Sequence, residues 1–298
     1  MRIVVTGGPD GQVLHSLIEQ GKAAGHEIVP LGRPELDLAA DAETIAAALA
    51  ATRPEMVVSA AAYTAVDKAE DEPDLAFAIN ARGAGAIAQA ASDLGVPLVH
   101  LSTDYVFSGS KTSPYTEQDP TDPVSVYGAS KLAGEEAVLA AHKTAVILRT
   151  AWVYSPFNAN FVRTMLRLAE DRDEVSVVAD QQGNPTSALD IAGAILEILP
   201  KLRSSSEMEL SGIFHLTGQG DTSWAEFAET IFSLSDALGG PAASVRPITT
   251  SDYPTKAKRP ANSRLDNSKL AKTYGLRLPA WQNSLERVIA RLVPAQAQ

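Results

Sequence analysis

Two short stretches of this 298-residue chain place reactive side chains at spacings that matter. Tyr127-Gly128-Ala129-Ser130-Lys131 sets a phenol and an ammonium four residues apart, which on a helix is one face. A phenol ionises near pH ~10, so it is a poor acid–base group at neutral pH unless a cation stabilises its phenolate. Lys131 is positioned to be that cation. His100-Leu101-Ser102-Thr103-Asp104-Tyr105-Val106-Phe107 runs from apolar residues into a cluster of hydroxyls. In an open α/β sheet, ligands bind beyond the carboxyl ends of the strands, which is where such hydroxyls would stand. The competing readings are a Ser/Thr/Asp capping cluster and a packing tyrosine beside a surface lysine. Taken together, the two stretches read as a proton-donating site with Tyr127 and Lys131 as its working groups and the hydroxyls of the strand end beside them.

A third stretch, Thr6-Gly7-Gly8-Pro9-Asp10-Gly11-Gln12-Val13-Leu14, joins the first apolar run to the first helical pattern. Gly8 and Gly11 would let the backbone approach a pyrophosphate, and the helix start would offer free N–H groups and a positive dipole end. A plain tight turn is the alternative, and Leu14 occupies the place of the usual third glycine. Arg33 follows the second apolar run. An acid there binds a ribose 2′-hydroxyl, whereas an arginine accommodates a 2′-phosphate or is simply solvated. The site therefore leans to NADPH over NADH, with Asp37 placed for an adenine contact.

The elements that must carry these groups alternate. Apolar runs at 2–6, 27–31, 56–59, 97–101 and 145–148 read as buried strands. Helical spacing covers 11–24, 42–51, 75–94 and 132–141. Strand–helix alternation with short connections and run-like strands predicts an α/β fold, a doubly wound parallel sheet of Rossmann type. After residue 150 the pattern loosens into a smaller α+β lobe, with helices at 160–168, 188–199 (ending at Pro200), 223–238 and 281–292 and a strand at 174–178. Ser223 and Glu226 have capping-box spacing, and Gly239-Gly240-Pro241 stops that helix. Residues 201–209 read as a polar surface loop. Residues 1–150 are expected to bind the dinucleotide. Residues 151–298 are expected mainly to form a substrate lobe, with segments returning to the first domain.

Composition removes other classes. Without cysteine there are no disulfides, thiolate metal sites or thiol nucleophiles. A net charge of −11 argues against nucleic-acid binding. No apolar run nears the ~20 residues of a membrane span, and Met1–Val5 is too short for a signal peptide, so a cytoplasmic location is expected. The five histidines lack metal-ligand spacing, and Gly-x-Ser-x-Gly is absent. The acidic runs Glu70-Asp71-Glu72 and Glu135-Glu136 read as solvated faces, and Trp224 and Trp281 as C-terminal core.

These motifs resemble the extended short-chain dehydrogenase/reductases and, among them, the dTDP-4-dehydrorhamnose reductases, over nearly the whole chain. The similarity includes residues 60–70 (AAAYTAVDKAE), 102–107 (STDYVF), Asn80, 149–154, 160–162, 183–186, Ser223-Trp224 with Phe227, and Arg259-Pro260 with Asn262–Leu265. The resemblance implies that Thr103 hydrogen-bonds the substrate carbonyl, Tyr127 donates the proton, and Lys131 depresses the tyrosine pKa and holds the nicotinamide ribose. It implies that Gly11, Gln12 and Val13 contact the pyrophosphate, and Asp37 and Leu38 the adenine side. Ala62, Tyr63, Thr64 and Leu101 would line the rest of the cofactor groove, and Asp104 and Trp152 would touch the sugar of a dTDP-sugar substrate. It further implies a homodimer. Some members use Mg²⁺ held by glutamates; His15 stands where an acid is expected, so no metal site carries over. A reductase of another 4-keto nucleotide sugar and a non-catalytic regulatory subunit on the same fold are the alternative readings.

The charge is uneven. Residues 251–298 hold nine Lys/Arg against three acids, whereas residues 1–250 carry a net −17. Lys256, Lys258, Arg259 and Arg264 cluster in one Pro-flanked segment, and Arg259 is the expected bidentate contact to the substrate diphosphate, a solvated tail being the alternative.

Overall fold

The computed structural model describes residues 1–204 and 208–293. Strand β1 (Arg2–Thr6) leads into α1 (Gln12–Ala23), β2 (Glu27–Leu31), α2 (Ala42–Ala51) and β3 (Met56–Ser59). Two short helices, α3 (Val66–Ala69) and α4 (Pro73–Phe77), precede α5 (Ala84–Asp93), β4 (Leu98–Thr103), α6 (Val126–Ala141) and β5 (Val146–Thr150). The chain continues through β6 (Val153–Tyr154), α7 (Phe161–Ala169), β7 (Glu174–Val178), β8 (Gln182–Gly183), β9 (Thr186–Ser187) and α8 (Ala188–Ser204). Last come β10 (Gly212–His215), β11 (Thr222–Ser223), α9 (Trp224–Ala237), β12 (Ser244–Ile248), α10 (Ser268–Tyr274) and α11 (Trp281–Leu292).

The main sheet has the order β10-β5-β4-β3-β1-β2 and is parallel throughout. This is the doubly wound sheet expected. Every residue of β3 and β5 is buried, because helices cover both faces. One face packs Leu14, Leu17, Ile191 and Ile195 of α1 and α8 against Ile3, Val5, Val58 and Val99. The other packs Ile45, Ile87 and Val138 of α2, α5 and α6 against Val4, Val57 and Ile147. The strand order reverses between β1 and β3, so the ligand crevice of such a sheet lies beyond those two strand ends. A separate core, including Val162, Phe227, Trp281 and Leu285, holds α7, α9 and α11 together with β7. The capping box at Ser223 and Glu226 is formed.

Several boundaries differ from the sequence reading. β4 and β5 each run two residues further, which brings Ser102, Thr103, Arg149 and Thr150 into the sheet. Helix α6 begins at Val126, with the Ser125 side chain accepting from Gly128 N–H, so Tyr127 and Lys131 are both helical. Helix α8 does not end at Pro200 but continues to Ser204. Its apolar residues Ile191, Ile195, Ile198 and Leu199 are buried on the sheet, which offsets the lost hydrogen bond of an internal proline. The loop read at 201–209 is therefore helical at its start and a short 3₁₀ turn at Met208–Leu210, while 205–207 lie outside the described residues. β10, β12 and α10 were not foreseen; Ile213-Phe214 was too short an apolar run to separate from a loop.

The helical pattern at 75–94 is interrupted by a π-helical segment at Ala78–Gly83. Such insertions cluster at functional sites. This one bulges toward α6, where a Cβ on Gly134 would run into the Asn80 carbonyl oxygen. Both colliding groups are backbone or rigidly attached to it, so neither can rotate away. Gly134→Ala is expected to destabilise the protein by about 1–3 kcal/mol, the usual cost of overpacking. An unchanged denaturant midpoint for that variant would contradict this account of the contact.

Candidate active site

The first turn supplies an anion-binding end. Gly11 is the N-cap of α1; no side chain caps the helix and its first turn holds no acid. Free N–H groups and the positive dipole end therefore open onto the turn, beside the exposed Gly8. That fits a dinucleotide pyrophosphate. Val13 is buried, and Leu14 fills the core instead of leaving room for a third glycine. The Gln12 side chain faces the second lobe: its Oε1 accepts from Ser155 Oγ at 2.7 Å and its Nε2 donates to the Val153 carbonyl at 3.4 Å. The Thr6 hydroxyl accepts from the N–H groups of Ala60 and Ala61 at 3.1 and 3.2 Å, joining the ends of β1 and β3.

Arg33 and Asp37 are exposed along the rim after β2, and Asp37 accepts from Ala39 N–H. Leu38 is instead part of the hydrophobic core. Ala62, Tyr63 and Thr64 follow β3. Asn80, in the π segment, clamps them: its Oδ1 accepts from Tyr63 N–H at 2.7 Å, and its Nδ2 donates to the Tyr63 carbonyl and to Ser130 Oγ on α6. The Tyr63 hydroxyl donates to Glu72 at 2.7 Å.

The sheet edge brings Thr103 and Tyr127 together. Thr103 is buried at the end of β4, where its hydroxyl donates to Asp104 Oδ1 at 3.0 Å and accepts from Tyr105 N–H. The half-buried Tyr127 meets the Tyr105 ring edge-on at 5.8 Å and stands close enough to the Thr103 hydroxyl to feel it. Burial pushes the Tyr127 phenol up to about 12, against a lowering pull from the Thr103 hydroxyl. Lys131 is buried one turn further along α6. Its ammonium donates to the Leu101 carbonyl at 2.7 Å and lies 3.3 Å from His100 Nε2. Burial lowers Lys131 to about 8, with the Glu135 carboxylate pulling the other way. The ammonium is thus directed at β4, and the phenol keeps its proton well above neutral pH. Burial, and then the Lys131 charge, hold His100 well below the usual imidazole range, and its Nδ1 pairs with Ser59 Oγ at 3.0 Å.

Asp104 is 2% exposed, and one of its oxygens, Oδ2, has no hydrogen-bond partner among the described residues. Burial raises it to about 6, while the nearby Ser263 hydroxyl and the hydrogen bond from Thr103 pull it down. Trp152 has a left-handed backbone (φ 46°) and stacks on Trp224 with ring centroids 3.6 Å apart. Gly183 packs so tightly on the Trp152 ring that a Cβ there would overlap it. Trp224 is therefore not simply core. It walls a cleft of about 680 Å³ together with Phe161, Met165, Arg246, Tyr253 and Arg259.

Two charge readings need correction. The acidic runs are only in part solvated faces: Asp71 and Glu136 are exposed, but Glu135 is 1% exposed and ion-paired with Arg149 at 2.6 Å, Glu72 takes the Tyr63 hydroxyl, and Glu70 takes Val126 N–H. Helix packing turns these last three acids inward toward fixed donors. Nor is the basic segment an uncompensated patch. Arg259 pairs with Asp67 at 2.8 Å and reaches the Tyr105 hydroxyl, Lys256 pairs with Asp71, and Arg264 pairs with Asp221 at 2.9 Å. His15 packs on Phe157 and contacts the Pro9 carbonyl. Among the described residues, no three His, Asp or Glu side chains converge as a metal site.

Sequence reasoning gave no site role to His100, Glu135 or Arg149, and noted Asn80 only as a matching residue. Their polarity inside apolar elements was the available signal.

The chain matches the family model described as the RmlD substrate binding domain over residues 1–293. It is 52% identical to a dTDP-4-dehydrorhamnose reductase of Sinorhizobium fredii over 293 residues, 98% of each chain. A crystal structure of a dTDP-4-dehydrorhamnose reductase from Clostridium acetobutylicum is 38% identical with a TM-score of 0.90, over 98% of this chain and 99% of that one. Another, from Bacillus anthracis in complex with NADP, is 38% identical with a TM-score of 0.88, over 96% and 98% of the two chains. An uncapped helix start, a Thr–Tyr–Lys set at a strand end and an aromatic cleft are thus carried by a chain that belongs to the RmlD family, that of the dTDP-4-dehydrorhamnose reductases.

Proposed function

We propose that this protein reduces the C4 ketone of dTDP-4-dehydro-6-deoxy-L-mannose to dTDP-L-rhamnose with NADPH, NADH being the alternative donor. The observation that carries the reading is the convergence of Tyr127 and Thr103 at the β4 edge, with Lys131 buried one turn away. The relative from Bacillus anthracis, crystallised with NADP, supports the choice of cofactor. Residues 1–150 form the dinucleotide domain in this reading. Most of the remainder forms the sugar-nucleotide lobe, and α8, β10 and α10 complete the sheet layer. The reading includes a cytoplasmic homodimer.

The pyrophosphate is held by the free N–H groups of Gln12 and Val13 at the Gly11 turn, next to Gly8, whose carbonyl takes the Gly11 N–H. Arg33 meets the 2′-phosphate, and Asp37 flanks the adenine. Ala62, Tyr63, Thr64 and Leu101 line the groove, held by the Asn80 clamp. When bound, NADPH supplies the hydride. Thr103 orients the ketone oxygen, and the Tyr127 phenol gives its proton to the alkoxide that develops there. In a site this desolvated, two fixed hydroxyls stabilise that charge far more than water would. A phenol kept protonated through neutral pH is ready to donate. Lys131, while charged, stabilises the phenolate that remains and holds the nicotinamide ribose. Asp104 and Trp152 contact the sugar, and Arg259 reaches the diphosphate from the cleft wall.

Incubation with NADPH and the 4-keto nucleotide sugar should consume NADPH, and NMR of the product should show the L-rhamno configuration. No NADPH consumption would sink the reading. Tyr127→Phe should lower kcat by roughly 10²–10⁴-fold, the contribution of a positioned acid. Wild-type turnover in that variant would remove Tyr127 from the chemistry. Because Lys131 sits near 8, kcat/KM should fall as pH rises through that value and the ammonium loses its proton. A profile flat to pH ~10, the range of an unperturbed lysine, would contradict the assignment. Arg259→Ala should raise KM for the nucleotide sugar by about tenfold to a hundredfold, the worth of a charged hydrogen bond, and an unchanged KM would exclude the diphosphate contact.

A further inference from the structure

Alternate residues of β4 meet residues four apart on α6: His100 faces Lys131, and Ser102 faces Glu135. Glu135 is the more committed of these groups. Its Oε1 accepts from Ser102 Oγ at 2.5 Å and from Arg149 Nε at 2.8 Å, and its Oε2 accepts from Arg149 Nη2 at 2.6 Å. Arg149 lies opposite Ser102 in the β4–β5 register and packs its guanidinium 5.0 Å from the Phe107 ring centroid. Both partners are at most 2% exposed. One carboxylate thus ties α6 to two adjacent strands, each one residue before its end at Thr103 or Thr150.

A buried ion pair of this kind is poorly explained by stability, because desolvation offsets most of its attraction and an apolar pair would serve as well. Its distinctive property is directional. It allows α6 only one rotation and one height over β4. Tyr127, two turns earlier on that helix, inherits both. Around Lys131, β4 contributes His100, α6 contributes Glu135 and Tyr127, and the turn after β4 contributes Asp104 beside Tyr127. Arg149 of β5 stands behind Glu135.

We propose that Glu135 is a positioning residue of the reductase: through Ser102 and Arg149 it sets α6 on the ends of β4 and β5, so that Tyr127 meets Thr103, and it is the fixed counter-charge behind Lys131. The proposal rests on the reductase reading above.

Glu135→Gln removes the charge and keeps the shape. In the full-length protein, assayed by NADPH oxidation with the 4-keto nucleotide sugar, kcat should fall about tenfold to a hundredfold with KM nearly unchanged, the signature of misplaced reacting groups. The basic limb of the kcat/KM profile should move to lower pH, by about one pH unit, because Lys131 loses the charge that favours its ammonium. A folded variant with wild-type kcat and an unmoved limb overturns the proposal. Should Glu135→Gln fail to fold, Ser102→Ala decides the matter, since it leaves the Glu135–Arg149 pair intact. It should lower kcat at constant KM, with recovery in Ser102→Thr, and wild-type kcat in folded Ser102→Ala overturns the proposal. Inactivity of the wild-type chain would fall on the reductase reading itself, whereas an active wild type with indifferent variants falls on Glu135 alone.

Discussion

The contact between β4 and α6 is the constraint on which the site depends. A parallel sheet buried on both faces must be covered by apolar helix faces, and α6 is largely such a helix, with Val138 in the core beneath it. Yet α6 also carries Lys131 and Glu135 inward, onto His100 and Ser102. A buried polar group is tolerated only with partners, so these side chains determine how the helix can sit. The close approach of Gly134 to the π segment completes the restraint from the other side. Since Asn80 in that segment also holds Tyr63, one packed unit organises both the Thr103–Tyr127 edge and the turn after β3.

Burial has one consistent electrostatic effect at this edge. It pushes Tyr127 and Asp104 up and Lys131 and His100 down, in each case toward the neutral form. Opposed perturbations gathered in one cleft are a mark of functional sites. The same desolvation strengthens every hydrogen bond that a developing alkoxide would receive.

The contrast between an acidic body and a basic end resolves into contacts rather than opposing fields. Asp67, in the 60–70 stretch, and Asp71, just beyond it, hold Arg259 and Lys256. Two segments about 190 residues apart in sequence are therefore tied together beside the cleft that Arg259 lines. Ser263, from the adjacent Asn262–Leu265 stretch, reaches Asp104. The basic segment is thus tied by ion pairs to the body of the chain rather than left as a solvated tail.

The alternation of strands and helices, the glycine-rich first turn and the Tyr–Lys pair were legible because each is local. A buried strand needs only a short apolar run, a helix its periodicity, and a four-residue spacing defines a helical face by itself. The capping box at Ser223 was readable for the same reason. What stayed hidden was set by groups distant in sequence. Glu135 beside Glu136 has the pattern of a solvated face, and only Arg149 and Ser102 on neighbouring strands make burial affordable. Pro200 reads as a stop, and only the sheet beneath α8 carries the helix past it. Trp224 reads as core until Trp152 and Gly183 stack beside it and open its edge to a cleft. The sequence by itself determined which groups could react and on which elements they ride. Tertiary packing decided which of them are desolvated, paired and brought face to face, because those properties belong to neighbours that the chain meets only when folded.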